Sequence, residues 1–207
     1  NSIKKYNNSL IVKTAPAFRF QGVWEIDSLI NDSKLKNTVL VSLPISLKES
    51  IEIIQLIMKA KKHYNNITFY IKPHPSLKIK KIKDHFLNKW PRSFVFINGD
   101  FKNAISKSLL LISNTSSTCL EAIAMGKPVI IIGSRAGLTQ NPIPNELNRK
   151  IWTLCYDEHD LTKALNKYIN LSSNEIMLNQ VIAEEVRNNY FEKITLNAVK
   201  SFLNLIN

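Results

Sequence analysis

The chain has 207 residues, 44% of them hydrophobic, enough for one substantial core of strands and covering helices. No apolar run approaches the roughly 20 residues of a membrane-spanning helix, and Asn1-Ser2-Ile3-Lys4-Lys5 leads into polar residues rather than the apolar centre of a signal peptide. A net charge of +12, from 28 Lys and Arg against 16 Asp and Glu, favours an anionic partner: nucleotide, nucleic acid, acidic glycan or inner membrane leaflet.

The first residue is not Met, so a missing partner domain is expected. Residues 1–36 do not fit the alternation that follows, and read as a strand at 9–13 and then, from Pro16 to Trp24, a linker or a strap across another surface. From residue 37 the pattern alternates. Residues 38–45 form an apolar strand ending at Pro44. Ser46-Leu47-Lys48-Glu49 has capping-box spacing and opens a helix to about His63. A strand at 67–71 stops at Lys72-Pro73-His74-Pro75, and a basic helix follows over 77–90. The strand at 94–97 turns at Asn98-Gly99-Asp100 into a short helix, 101–107, and then a strand at 109–112.

Next comes Ser113-Asn114-Thr115-Ser116-Ser117-Thr118-Cys119-Leu120-Glu121, which reads as a strand end, a hydroxyl-rich turn and a helix start. Gly126 closes that helix in a left-handed conformation and Pro128 leads into a strand at 129–132. A Pro- and Asn-rich loop spans 134–148, and a last strand lies at 151–156. Asp157 caps a helix to about Asn170, and Ser172-x-x-Glu175 starts a longer terminal helix. Continuous apolar strands alternating with helices predict a doubly wound α/β domain over 37–207, its mostly parallel sheet covered on both faces.

Ligands of such folds sit beyond the carboxyl ends of the strands. Those ends carry Ser42 and Pro44, Lys72 to Ser76, Asn98 to Asp100, Ser113 to Ser117, and Gly133 to Gly137. Free N–H groups and hydroxyls at a helix start suit phosphate, which assigns contact to Ser116 and Ser117; the structural alternative is helix capping alone. Glu121, one turn on, can reach a ribose, or complete a capping box by accepting from the Thr118 N–H. His74 stands between two prolines that stiffen its loop and can donate to a phosphate or a departing oxygen; otherwise it satisfies a nearby carbonyl. Lys72, Arg19 and Arg135 are the best-placed cations for a phosphate or sugar carboxylate.

Lys78-x-Lys80-Lys81-x-Lys83 reads as a solvated helix face or a membrane-surface patch. Cys119 and Cys155 lack metal-ligand spacing and read as reduced core residues in a cytoplasmic setting. With no G-x-G-x-x-G, no P-loop and no Asp-x-Asp, neither a dinucleotide cofactor nor a bound metal is expected. Aromatic residues do not interleave with the basic run, which argues against nucleic acid.

Lys72-Pro73-His74-Pro75 together with Ser113-Asn114-Thr115-Ser116-Ser117-Thr118-x-x-Glu121-Ala122-x-x-x-Gly126-Lys127-Pro128 resembles the C-terminal half of bacterial GT-B glycosyltransferases of surface-polysaccharide synthesis. The nearest likeness is to sialyltransferases and Kdo transferases with an His-Pro motif and a Ser/Thr-rich motif. The resemblance covers roughly residues 38–200. It implies a domain that binds a nucleotide-sugar, favouring a CMP-sugar such as Kdo or sialic acid, and delivers the sugar to a capsule or lipopolysaccharide glycan. His74 would contact the donor phosphate as the catalytic group of this half, Ser116 and Ser117 would bind phosphate, and Glu121 would hold ribose. The glycan acceptor and the acid or base would belong to a missing N-terminal domain, with Phe18-Arg19-Phe20-Gln21 in the interdomain linker. UDP-GlcNAc 2-epimerases and CDP-glycerol phosphotransferases share this half-fold and remain alternatives, as does a non-catalytic nucleotide or anionic-glycan binding module.

Overall fold

The structure, a computed structural model, describes residues 17–25, 37–134 and 137–203. The expected strand at 9–13 and Arg135 lie outside the described residues. In chain order the elements are a 3-10 helix Phe18–Trp24, β1 Thr38–Ser42, α1 Leu47–Ala60, β2 Thr68–Lys72, α2 Ile79–Phe86, β3 Phe94–Phe96, α3 Phe101–Ser106, β4 Leu111–Ser113, α4 Thr118–Ala124, β5 Val129–Ile132, β6 Trp152–Cys155, α5 Glu158–Ile169, α6 Ser173–Tyr190 and α7 Leu196–Phe202. The six strands form one parallel sheet in the order β3-β2-β1-β4-β5-β6. This is the doubly wound α/β architecture that the alternating pattern predicts.

Strands in such a sheet are apolar throughout because both faces are covered. Successive side chains enter opposite cores. Val39, Val41, Ile112, Ile130 and Ile132 join α1, α2 and α5 on one face. Leu40, Leu111, Val129 and Ile131 join α3, α4, α6 and Val23 of the 3-10 helix on the other. Each buried aliphatic side chain contributes about 1.5–3 kcal/mol, so the central strands β1, β4 and β5 carry much of the stability.

The basic helix is shorter than its pattern predicts, because both ends of 77–90 are drawn elsewhere. Leu77 closes a turn, its N–H donating to the His74 carbonyl at 2.8 Å. Leu87 sits at φ 45°, outside the helical region. Trp90 leaves the helix path to cover edge strand β3, stacking on Phe96 at 4.7 Å and donating its indole N–H to the Phe94 carbonyl at 2.9 Å. Lys80, Lys81 and Lys83 are exposed, as a solvated helix face requires. The terminal helix is two pieces, since Phe191 is extended and buried between α6 and α7. Among the described residues no helix is long and apolar enough to cross a membrane.

Two contacts brace α4. The Arg187 guanidinium of α6 donates to the Ala124 carbonyl at 2.6 Å, a cation on the negative end of the helix. Gly126 ends α4 at φ 72°, and a Cβ there would come within 2.3 Å of the Gln180 side chain. Gly126→Ala should therefore cost about 1–2 kcal/mol, mostly from the left-handed backbone, measured by urea unfolding. Adding Gln180→Ala should return only a minor share, because the flexible amide end yields easily while φ does not.

Candidate functional site

The chain reverses its direction of growth across the sheet between β1 and β4, and the crevice above their carboxyl ends is where doubly wound folds take ligands. Ser42 and Ser113 end these two strands. The Ser113 hydroxyl donates to the Ser42 carbonyl at 3.0 Å, closing the crevice floor where the ladder stops. β2 lies beyond β1, so the His74 loop and the Ser116 turn are about two strand spacings apart, roughly 10 Å.

His74 Nδ1 accepts from the Ser76 N–H at 3.1 Å. Only an imidazole unprotonated at Nδ1 can do so, which leaves the proton on Nε2 as a donor. Lys72 Nζ donates to the Gly99 carbonyl, tying the end of β2 to the turn after β3. Asn98 is exposed in that turn. Asp100, two residues later, caps α3 by accepting from the Asn103 N–H at 2.6 Å.

The turn before α4 departs from expectation in two ways. Its helix-start N–H groups are largely spent within the chain: Thr118 N–H donates to Ser116 Oγ, Cys119 N–H to the Ser116 carbonyl and Leu120 N–H to the Ser117 carbonyl. The N–H groups of Ser116 and Ser117 themselves have no partner among the described residues. Second, the Thr118-x-x-Glu121 capping box does not form. Ser117 occupies the cap position in a helical conformation with no side-chain cap bond, so Thr118 is already inside the helix and cannot act as a cap. The Ser46-x-x-Glu49 box is half made: Ser46 Oγ accepts from the Glu49 N–H at 3.3 Å, while the Glu49 carboxylate accepts from Asn114 Nδ2 at 3.3 Å.

Glu121 instead meets Arg19. Arg19 Nη2 donates to Ser117 Oγ at 2.8 Å and to Glu121 Oε1 at 3.4 Å. The two side chains differ in exposure, 65% for Arg19 and 12% for Glu121. Burial pushes the Glu121 carboxyl above the usual carboxylate range, and the Arg19 guanidinium partly offsets that. The 3-10 helix that presents Arg19 is fixed by buried Val23, by Phe20 packed edge-on against Phe191 at 5.2 Å, and by the Lys102–Glu25 ion pair at 2.6 Å.

The structure thus gathers Ser42, Ser113, Ser116, Ser117, Glu121 and Arg19 around one crevice, with His74 and Lys72 on the adjoining strand. Asn98 stands a further strand away. A cleft of about 150 Å³, unforeseen from the sequence, runs along α1 beside the same turn, lined by Glu49, Glu52, Asn114, Gly133, Leu138 and Tyr156. Gly133 lets the Tyr156 ring lie against its backbone, since a Cβ there would be 2.3 Å from the ring. The cleft's signals in the sequence were Gly133 at the end of β5 and the Asn114-Thr115 polar pair beside the Ser/Thr turn. Among the described residues no group of three or more His, Cys, Asp or Glu could hold a metal ion. Burial pushes the Cys119 thiol up to about 12, which makes it a poor nucleophile.

No protein-family model and no curated protein matches the sequence. Solved structures do. The chain is similar to S. aureus MnaA in a co-structure with UDP, with a TM-score of 0.61 and 18% identity over 99% of this chain and 57% of that one. It is similar to the UDP-GlcNAc 2-epimerase of Neisseria meningitidis bound to UDP-GlcNAc, with a TM-score of 0.55 and 19% identity over 85% of this chain and 44% of that one. It is also similar to CalG4, the calicheamicin glycosyltransferase, with a TM-score of 0.55 and 13% identity over 81% of this chain and 41% of that one. The chain spans about half the length of these proteins, and the likeness establishes its fold as one Rossmann-like half of the GT-B architecture.

Removing the guanidinium leaves the half-buried Glu121 carboxylate without its compensating charge. Arg19→Ala should therefore raise the Glu121 pKa further, read from the carboxyl carbon shift in an NMR pH titration. An unchanged midpoint would mean that the pair is not populated in solution.

Proposed function

We propose that this chain is the donor-binding half of an enzyme that transfers a sugar from a nucleotide-sugar. The observation that carries the reading is the convergence at the β1/β4 crevice of the Ser116 and Ser117 N–H groups, which have no partner among the described residues, with a half-buried carboxylate and a guanidinium. Those groups answer two parts of a ribonucleotide donor, its phosphate and its ribose diol. In this reading Ser116, Ser117 and Arg19 meet phosphate, Glu121 accepts from the ribose hydroxyls, and His74 Nε2–H donates to the departing phosphate oxygen from the β2 side. Donors fixed in advance around a developing anion often contribute more to catalysis than any other single effect. Ser42 and Lys72 complete the crevice wall, and Asn98 lies towards the base. The acceptor, a capsule or lipopolysaccharide glycan, and the catalytic acid or base belong to a second domain. The setting is the cytoplasmic face of the inner membrane, with the exposed lysines of α2 near anionic lipid.

The His-Pro and Ser/Thr motifs, taken as a pair, favour a CMP-sugar. A second reading, a uridine donor and an epimerase-like reaction, is favoured by the likeness to MnaA with UDP and to the N. meningitidis enzyme bound to UDP-GlcNAc. A panel of CMP, CDP, UDP, GDP and ADP scored by thermal stabilisation separates them, since a ligand of the native state raises its apparent stability. Stabilisation by a cytidine nucleotide above the rest supports the first reading, and by UDP the second. No response to any nucleotide would remove the donor-site assignment.

His74→Ala should weaken binding of the preferred nucleotide by about 1.5–3 kcal/mol, the scale of a hydrogen bond to a charged group. The half-exposed imidazole makes few core contacts, so the melting temperature of the free chain should barely move. Calorimetry on the variant checks the first expectation and a thermal melt the second.

A further inference from the structure

The groups assigned to the two halves of a nucleotide are held in this structure by a single nitrogen. Arg19 Nη2 bonds both the Ser117 hydroxyl and the Glu121 carboxylate. A ribose that takes Glu121 Oε1 competes with Arg19 for that oxygen, and a phosphate at Ser117, whose hydroxyl still has its hydrogen to donate, competes with Glu121 for the guanidinium. We infer that Arg19 is an exchangeable counterion: it neutralises Glu121 in the free chain and transfers to the phosphate when a nucleotide binds. The inference rests on the donor-site reading above.

Three features support the exchange. The backbone of Arg19 cannot leave, because Val23, the Phe20–Phe191 contact and the Glu25–Lys102 pair hold its helix down on both sides. Its side chain can turn, being 65% exposed. And among the described residues only Nη2 donates a hydrogen bond, the guanidinium otherwise lying 5.1 Å over the Phe20 ring, so most of its five N–H donors remain available to an anion arriving at Ser117. An exposed ion pair contributes little, whereas a guanidinium on a phosphate makes a paired, charge-assisted contact. The exchange therefore runs downhill when phosphate is present and uphill when it is absent. A nucleoside that takes Oε1 breaks the Arg19–Glu121 contact with nothing in return; a nucleoside diphosphate returns more than it takes.

That asymmetry gives Arg19→Ala opposite effects on two ligands of the same site. Uridine with UDP, and cytidine with CDP, would each be titrated into the wild-type chain and the variant, nucleosides by NMR at millimolar concentration and diphosphates by calorimetry. The nucleoside should bind the variant about 2–5-fold more tightly, matching loss of a competing exposed pair. The diphosphate should bind at least about tenfold more weakly, matching loss of a charge-assisted bond. Arg19→Lys keeps the charge without the planar fork and should fall between for the diphosphate. If both ligands tighten, Arg19 is only a plug; if nucleoside affinity is unchanged or falls, it is not a competitor of ribose; either result overturns the exchange. If the wild-type chain binds neither a nucleoside nor a diphosphate, the donor-site reading fails and the inference falls with it.

Discussion

Everything at the functional edge depends on the pairing of β1 with β4 at the centre of the sheet. Chain growth proceeds outward from β1 through β2 to β3, then returns to the other side of β1 and proceeds through β4 to β6. The connections leaving β1 and β4 must diverge, α1 packing on one face and α4 on the other. Two strands that are neighbours in the sheet thus send their helices apart, and a crevice opens above them for a purely topological reason. The Ser113–Ser42 bond marks where backbone pairing gives way to side-chain chemistry. The apolar interior of β1 and β4 supplies the rigidity on which that chemistry rests.

The electrostatics of the crevice follow from unequal burial. Glu121 sits on the short helix α4, one face of which is sunk in the core through Cys119, Ala122 and Ile123. Its carboxylate is therefore desolvated while Arg19, on the overlying 3-10 helix, stays in water. A pair of this kind contributes little to stability. Its consequence is positional: it draws Glu121 away from the backbone of its own helix and towards Arg19. The braces on α4, Arg187 at the Ala124 carbonyl and Gly126 beside Gln180, keep that carboxylate in place from the far end.

The cleft along α1 extends the same edge towards β5 and β6. It is reached from the Ser/Thr turn through Asn114, whose side-chain amide donates to Glu49. Among the charged residues lining it, Glu49 and Glu52 of α1 outnumber Lys59, a local excess of negative charge in a chain of net charge +12. Much of the excess positive charge is carried elsewhere, including the exposed face of α2.

By itself the sequence determined the architecture, because hydrophobic period and turn chemistry are local. Continuous runs such as Val129–Ile132 demand a sheet buried on both faces. Ser172 with Glu175 formed the capping box that its spacing specifies, and Gly126 took the left-handed turn where the pattern of α4 ends. The strand ends that carry Ser42, His74 and Ser116 were legible for the same reason. What tertiary structure decided is which side chain each of these groups meets. Glu121 and Glu49 both had the spacing of capping partners, yet Arg19 and Asn114, 102 and 65 residues away in sequence, draw their carboxylates outward. Trp90 left its helix for Phe96 because an uncovered edge strand offered more apolar contact than another helical turn. Local spacing fixes what a residue can bond; only the packed fold brings distant competitors near enough to win.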